Sequence, residues 1–582
     1  MTTTRMRVLF GVLAIAALSA LAAACGSSSS SSTPTANATS GGSATAGTSP
    51  AASPTSAIQM GGSVTLQGLQ FQSFDPHYSG FSQDINVERM VWRGLYRLDK
   101  DNKLQPEMAA SQPTVSTDGL TYTVKLQSGL KWSDGTPMTS KDFVAGIVRT
   151  CAPDTAGYYQ NFLFSIVGCS DYSAATKATA AEKLALQAKL GVSAPDDTTI
   201  VFKLTQAQAT FGTQLAMWYT FPVPTAIVKD PATDKWPAPT ALAFNGPYKV
   251  QSYTEKDNIV LVKNDNYQSA SSHKAYLDKI TMKYIENTEQ ADNAFRAGQL
   301  DFALANTAQI TAIKSDPSTK DAYFADPQVA TTQALEMNLK HKPLDNLKVR
   351  LALSQAIDRK QLVQVISSGV FIPTTSWIPG DLVGVAQDPF ESQIGFNATA
   401  AKQNLADAGF PDGKGFPTLD FMIRDTPANK ALAAFVQNSF KTVLNININI
   451  STVDSKTRSS NFSSGKFDLL PGGWIQDYPD PEDWVDGQFN TGGSQNFWGC
   501  SNPQIDSLFA KAKVNQNNTE RLGQYKQINE IISTTMCGVA PLWNQSAYYL
   551  INTKLRGMRS NSTSQDAVQA ADWNVESWWL AK

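Results

Sequence analysis

The chain has 582 residues, of which 42% are hydrophobic and 17% charged, and its formal net charge is −2. That length exceeds what one hydrophobic core serves, so two or more lobes are expected. The near-neutral charge excludes a nucleic-acid footprint, and with no second apolar run long enough to cross a bilayer the body is excluded as a channel or permease.

Arg5 and Arg7 precede an apolar run from Val8 to Leu21, and Ala22-Ala23-Ala24 leads into Cys25. This is the charged, apolar and cleavable pattern of a signal peptide, assigned to residues 1–24. It resembles the lipobox of bacterial lipoproteins, in which the cysteine becomes the lipid-bearing mature N-terminus. That motif has Leu three places before the cysteine, whereas here the place holds Ala22 and Leu21 stands one further back. Residues 25–60 are then a lipidated Cys25 and a linker of Ser, Thr, Ala, Gly and Pro that cannot bury enough apolar surface to fold. Such a tether reaches roughly 5–6 Å × √n from its anchor.

Four further cysteines remain, Cys151, Cys169, Cys500 and Cys537. In an exported chain an even number suggests two disulfides; three pairings are possible, and nearness in sequence favours Cys151 with Cys169 and Cys500 with Cys537. Metal binding is the rival reading. No Cys-x-x-Cys spacing occurs, and the histidines His77, His273 and His341 lie in unrelated contexts, so no metal and no cofactor is expected.

The folded body opens with a strand at Gly62 to Leu66 and a turn at Phe74-Asp75-Pro76-His77. A helix over 86–95 has Val87, Met90, Val91 and Leu95 on one face. Asp118-Gly119 followed by alternation through Leu126 predicts a hairpin, and Thr139 or Ser140 can cap a helix beginning near Lys141. Further on, Asp345 is placed to cap a helix carrying Leu347, Leu351, Ile357, Leu362 and Ile366 on a broad apolar face, with Arg350 and Asp358 solvated or paired internally. Thr418 to Ile423 reads as a strand and Ala428 to Val443 as a helix. Asn445 to Ile450 alternates so regularly that its apolar side must be buried.

Phe467 to Leu470 reads as a short strand, followed by Gly473-Trp474-Ile475-Gln476-Asp477-Tyr478-Pro479-Asp480-Pro481-Glu482-Asp483-Trp484. The two prolines prevent a helix from starting before Glu482, so Asp477 sits on a loop at a strand's end, where open α/β sheets bind ligands. The same Asp-Tyr-Pro-Asp-Pro is also a good turn sequence. Trp474, Tyr478, Trp484 and Trp498 are candidate walls around the Asp477 carboxylate, and each is also a candidate for the core. Trp543 is a further candidate wall.

Several of these stretches occur together in a known family. Leu104-x-Pro106-x-x-Ala109, Asp118-Gly119-x-Thr121-Tyr122-Thr123 and Trp132-x-Asp134-Gly135-Thr136-Pro137 resemble the extracytoplasmic solute-binding proteins of peptide-type ABC transporters, which include oligopeptide- and dipeptide-binding proteins. Gly246-Pro247-Tyr248, Gly298-Gln299-Leu300-Asp301, the Arg350 helix and the Asp477-Tyr478 loop are similar to later motifs of that family, so the likeness spans about residues 62–560 in order. It implies an α/β, two-lobed periplasmic-binding-protein-like fold hinged around an interlobe cleft. The implied division is a first lobe at 61–303 with an extra subdomain at about 99–210, a second lobe at 304–543, and a return to the first lobe at 544–582. It also implies a monomeric receptor, lipid-anchored at the outer face of the cytoplasmic membrane, that delivers a peptide or other amine-bearing solute to a permease. Asp477 inherits the position that holds a peptide's α-amino group.

Two other readings stay open. Ligands in the family extend to sugars, metal chelates and opine-like compounds. A secreted hydrolase using carboxylates such as Asp480 and Glu482 is the rival of another class, but Gly-x-Ser-x-Gly, His-Glu-x-x-His and P-loop motifs do not occur, so no enzymatic activity is expected.

Overall fold

The computed structural model describes residues 58–99, 103–270, 275–326, 331–545, 547–558 and 575–582. The expected signal peptide, Cys25, nearly all of the linker and His273 lie outside the described residues. Among the described residues no helix is long and apolar enough to cross a membrane.

Two large sheets organise the chain. The seven-stranded sheet runs in the order Tyr323–Asp326, Ala547–Ile551, Phe302–Leu304, Ser63–Gly68, Lys279–Tyr284, Asn258–Lys263, Tyr248–Thr254. Ser63–Gly68 is parallel to both of its neighbours, and the other pairings are antiparallel. The six-stranded sheet runs Ile372–Pro373, Val539–Asn544, Thr331–Met337, Leu469–Ile475, Leu419–Arg424, Ile448–Val453. There Leu419–Arg424 pairs in parallel on both sides, the signature of βαβ crossovers. Because Tyr323–Asp326 still belongs to the first sheet, the chain passes between sheets after Asp326 and again after Asn544, not at 304. A separate antiparallel sheet of Thr114–Val115, Thr121–Lys125, Thr199–Lys203 and Val192–Asp196 lies within the stretch expected to be an extra subdomain.

Local signals explain most of these elements. Thr139 and Asp142 form a capping box that starts the helix Ser140–Cys151, satisfying backbone N–H groups that would otherwise have no partner. The helix expected from Leu347 onward is two helices, Leu347–Gln355 and Arg359–Ser367. Asn346, not Asp345, caps the first. Asp358 accepts from the Lys360 and Gln361 backbone N–H groups at 3.0 Å, so its side chain starts a second helix instead of continuing the first. Arg350 is buried and donates to the Leu344, Asp345 and Thr535 carbonyls. Asn445 ends the Phe440–Leu444 turn with φ 55°, which Asn tolerates. The following strand therefore begins at Ile448, and at the sheet edge Ile450 stays 39% exposed while Ile446 and Ile448 are buried.

Both favoured disulfides form, Cys151–Cys169 and Cys500–Cys537. The first closes a loop that carries Tyr158 and Tyr159. The second ties the segment after the Asp477 loop to the strand Val539–Asn544. That loop is aimed by Gly472 and Gly473. A Cβ on Gly473 would meet the Thr332 carbonyl oxygen at 2.0 Å, so there the two backbones approach too closely for any side chain, and one on Gly472 would displace the Glu336 carboxyl group, 2.1 Å away.

Gly473→Ala should therefore destabilise the fold by about 1–3 kcal/mol, the range for overpacking, read as a lower Tm. An unchanged Tm would mean the backbone relaxes freely. Replacing Cys500 and Cys537 together by Ser should lower the Tm by the equivalent of about 3–4 kcal/mol in the loop-entropy model.

Candidate functional site

A cavity of about 220 Å³ is lined by residues from both parts of the chain. Phe81, Asn86, Arg89, Tyr158 and Tyr159 come from the segments preceding the first sheet's later strands, and Gln333, Glu336, Arg424, Arg458 and the run Pro471–Asp477 come from the second sheet and its connections. Hydrogen bonds join the same two parts directly, from Gln83 to Ser459 at 3.2 Å and from the Ser494 backbone N–H to Asn161 at 3.0 Å.

Asp477 stands two residues beyond the strand Leu469–Ile475, on the cavity wall. Its backbone N–H donates to Asp483 Oδ2 at 2.8 Å, and Trp474 Nε1 donates to the same oxygen at 3.1 Å. Tyr159 Oη donates to Asp477 Oδ2 at 2.7 Å. Burial pushes the Asp477 carboxyl up to about 6, opposed by the Tyr159 hydrogen bond and then by the nearby Arg89 charge. Burial, followed by the Asp477 charge, drives Asp483 well above the usual carboxylate range. Of the two acids, Asp483 is pushed the further from its ordinary value. Tyr159 is held well above the ordinary phenol value by burial and then by Asp477, so it remains a donor. Its ring lies among Phe162, Trp218 and Tyr219 at centroid distances of 5.0, 4.5 and 5.2 Å.

The rest of the acidic loop is anchored away from the cavity. Arg521 forks onto Asp480 at 2.8 and 2.5 Å, and Lys513 pairs with Asp486 at 2.8 Å. Glu482 is fully buried and accepts from Gln208 at 2.7 Å and Thr210 at 2.6 Å; burial raises it to about 7. The Asp480 and Glu482 carboxylates are engaged with these partners and are not among the residues lining this cavity.

Of the expected aromatic walls, Trp474 and Trp498 line the cavity with Asp477. Tyr478 and Trp484 do not, and the expectation for both is corrected. Tyr478 lies beyond the strand's last residue, Ile475, and turns into the aromatic packing of the first part of the chain. It is 1% exposed and packs on Phe162 at 6.4 Å. Trp484 is fully buried against Trp377, 6.0 Å away, in a core cluster of the second sheet.

The positive groups of the cavity went unnoticed in the sequence. Arg458 donates to the Pro471 carbonyl at 2.7 Å and is lowered to about 10, chiefly by burial. Arg424 is likewise held low by burial, with Glu286 as its countercharge, and among the described residues its guanidinium makes no hydrogen bond. Glu336, 2% exposed, is raised to about 7 by burial and drawn back by Arg458. The available signal was a charge inside an apolar strand, as in Leu335-Glu336-Met337 and Met422-Ile423-Arg424. For Tyr158 and Tyr159 it was their place inside the Cys151–Cys169 loop. Among the described residues no group of three or more His, Cys, Asp or Glu is placed to hold a metal.

Comparison with known proteins gives a consistent picture. The model for bacterial extracellular solute-binding proteins, family 5 Middle, matches residues 103–496. The periplasmic oligopeptide-binding protein OppA of Salmonella typhimurium is 28% identical over 505 residues, covering 86% of this chain and 89% of that protein. Among solved structures, a periplasmic oligopeptide-binding protein (OppAIV) from Borrelia burgdorferi superposes with a TM-score of 0.78 at 25% identity, over 88% of this chain and 99% of its own. Haemophilus influenzae OppA in complex with RPPGFSPFR gives a TM-score of 0.80 at 24% identity, over 90% of this chain and 100% of its own. The two-lobed α/β fold is shared with these proteins, and the chain belongs to the bacterial extracellular solute-binding proteins of family 5.

Proposed function

We propose that the protein captures a short peptide, or a similar solute bearing an amine, in the cavity between its lobes and delivers it to the permease of an ABC transporter. In this reading it is a receptor held at the outer face of the cytoplasmic membrane through a lipid on Cys25, with the following linker as its tether. The observation that carries the reading is the Asp477 carboxylate on the cavity wall, held by a hydrogen bond from Tyr159 at 2.7 Å and linked through its backbone N–H to Asp483 at 2.8 Å. A ligand ammonium would add charge and hydrogen-bond donors to this buried carboxylate, beside the Arg89 charge already near it.

Arg424 and Arg458 give the same cavity a positive region. An anionic point and a cationic region in one enclosed space complement a zwitterion. The names of the relatives support this, since the Salmonella protein is an oligopeptide-binding protein and the Haemophilus structure holds a peptide. Closure of two lobes over such a ligand would exclude water from both charged contacts and strengthen them.

Native mass spectrometry of the purified protein should reveal a bound short peptide; a neutral sugar in its place would overturn the reading. Asp477→Asn should keep the fold and weaken binding of a peptide amine by more than about 1.5 kcal/mol, the lower end for a hydrogen bond to a charge. Unchanged affinity in calorimetry would remove Asp477 from the site. The pH dependence has two opposite signs. Peptide affinity should fall as pH is lowered through about 6, because the empty cavity then protonates Asp477. The empty protein behaves the other way. Its folded state binds that proton more readily than the unfolded chain, whose carboxyl has the ordinary value of 3.8. The Asp477 contribution to stability is therefore least favourable above pH 6 and improves as pH falls toward 4. The Tm advantage of Asp477→Asn over the native protein should accordingly be largest near pH 8 and shrink at pH 5.

A further inference from the structure

The charged groups on the wall of the Asp477 cavity are unevenly matched. Arg89, Arg424 and Arg458 line it against two acids, Glu336 and Asp477, and among the described residues no other charged side chain lines it. With both acids ionised the wall still carries one positive charge in excess, and any proton on Glu336, which burial raises to about 7, enlarges that excess. A peptide whose only charges are its two termini is neutral. It would leave the excess as it found it.

The three bases are not equally engaged. Arg89 lies near the Asp477 charge and over the Trp218 ring, 4.9 Å from its centroid. Arg458 donates to the Pro471 carbonyl at 2.7 Å and is opposed by Glu336. Arg424 differs. It ends the strand Leu419–Arg424, which pairs in parallel on both sides, so it stands at the carboxyl end where such sheets meet ligands. Its guanidinium makes no hydrogen bond among the described residues, and Glu286, the carboxylate that acts on it, accepts instead from Ser455 and the Gln70 backbone N–H. Arg458 is held low first by burial and also by the Arg424 charge, so the two guanidinium groups lie close enough to repel. Like charges sharing a partly dry wall, one of them without acceptors, are costly. An anion placed against Arg424 relieves both costs. Asn429, on the helix Pro427–Ser439 that follows, lines the same wall with a side-chain amide that donates to no other described residue.

We propose that the preferred ligand is an acidic peptide, one whose side-chain carboxylate meets Arg424 and brings the net negative charge that the wall lacks. This rests on the peptide reading above and narrows it. A carboxylate offers two acceptors to the planar donors of a guanidinium, a bidentate match that a side-chain amide cannot make. A lysine side chain is rejected on the same ground, since it adds a further unmatched charge of the same sign. Selection is by charge at constant shape.

The test is calorimetric titration of the protein, stripped of bound ligand, with tripeptides that carry Glu, Gln or Lys in turn at each position of Ala-Ala-Ala. Glu and Gln share a shape, so the ratio of their affinities isolates the charge. At one position at least, the Glu peptide should bind about ten-fold or more tightly than its Gln counterpart, the step expected of a hydrogen bond to a charge, and the Lys peptide more weakly than the Gln one. Arg424→Gln should bring the Glu-to-Gln ratio at that position toward unity, whereas Arg424→Lys, which keeps the charge, should retain a preference for Glu. A loss of affinity shared equally by the Glu and Gln peptides would mark Arg424 as structural and overturn the proposal. So would a Glu preference untouched in the folded Arg424→Gln protein. Should the variants fail to fold, the native protein decides alone. Equal binding of Glu and Gln peptides at every position would overturn the acidic preference while sparing the peptide reading, and failure of every peptide to bind would overturn both.

Discussion

The arrangement of this protein depends on keeping a cluster of carboxyl groups out of bulk water. Asp477, Asp480, Glu482, Asp483 and Asp486 fall within ten residues, and Glu482, Asp483 and Asp486 are almost fully buried. Such a cluster is tolerable only if each member is neutralised or bonded. Arg521 forks onto Asp480, Lys513 holds Asp486, and Gln208 and Thr210 from the distant first part of the chain bond Glu482. Asp483 accepts from the Asp477 backbone N–H and from Trp474. Asp477 is the acid of the set on the cavity wall, where it accepts from Tyr159 and lies near the Arg89 charge.

The same constraint accounts for how the two halves meet. Tyr159 reaches Asp477 from a disulfide-closed loop 318 residues earlier in sequence, and the Glu482 bonds span more than 260 residues. Tyr478, turned away from the cavity, packs into the aromatic cluster of the first half. The loop after Leu469–Ile475 is therefore a joint between lobes as much as a wall of the cavity. Its aromatic residues divide accordingly, with Trp474 on the cavity side and Tyr478 and Trp484 in the packing.

The cavity is also mixed in character. Its wall carries the acid Asp477 and the bases Arg89, Arg424 and Arg458. Glu336 and Arg458 oppose each other within it, which moderates the positive region without cancelling Arg424.

Much of the architecture was legible locally. Turn chemistry at Asp118-Gly119, the capping box at Thr139 and the spacing of the cysteines each depend on residues close together in sequence, and so did the placing of Asp477 at a strand's end. Family motifs in order marked the two-lobed fold. Other features could not be read this way. The separation of the Arg350 region into two helices turned on whether Asp358 would serve as a cap, and the passage between sheets was misplaced because a short strand such as Tyr323–Asp326 carries no sign of which sheet it joins. The amino-acid sequence by itself determined which groups carry charge and where strands must turn, because those are properties of single residues and near neighbours. Only the tertiary structure decided that Tyr159 meets Asp477, that Tyr478 and Trp484 turn inward, and that Arg424 and Arg458 come to the same cavity wall as Asp477. Those contacts join residues hundreds of positions apart, and burial, which sets the charge each acid carries, exists only once the lobes have packed.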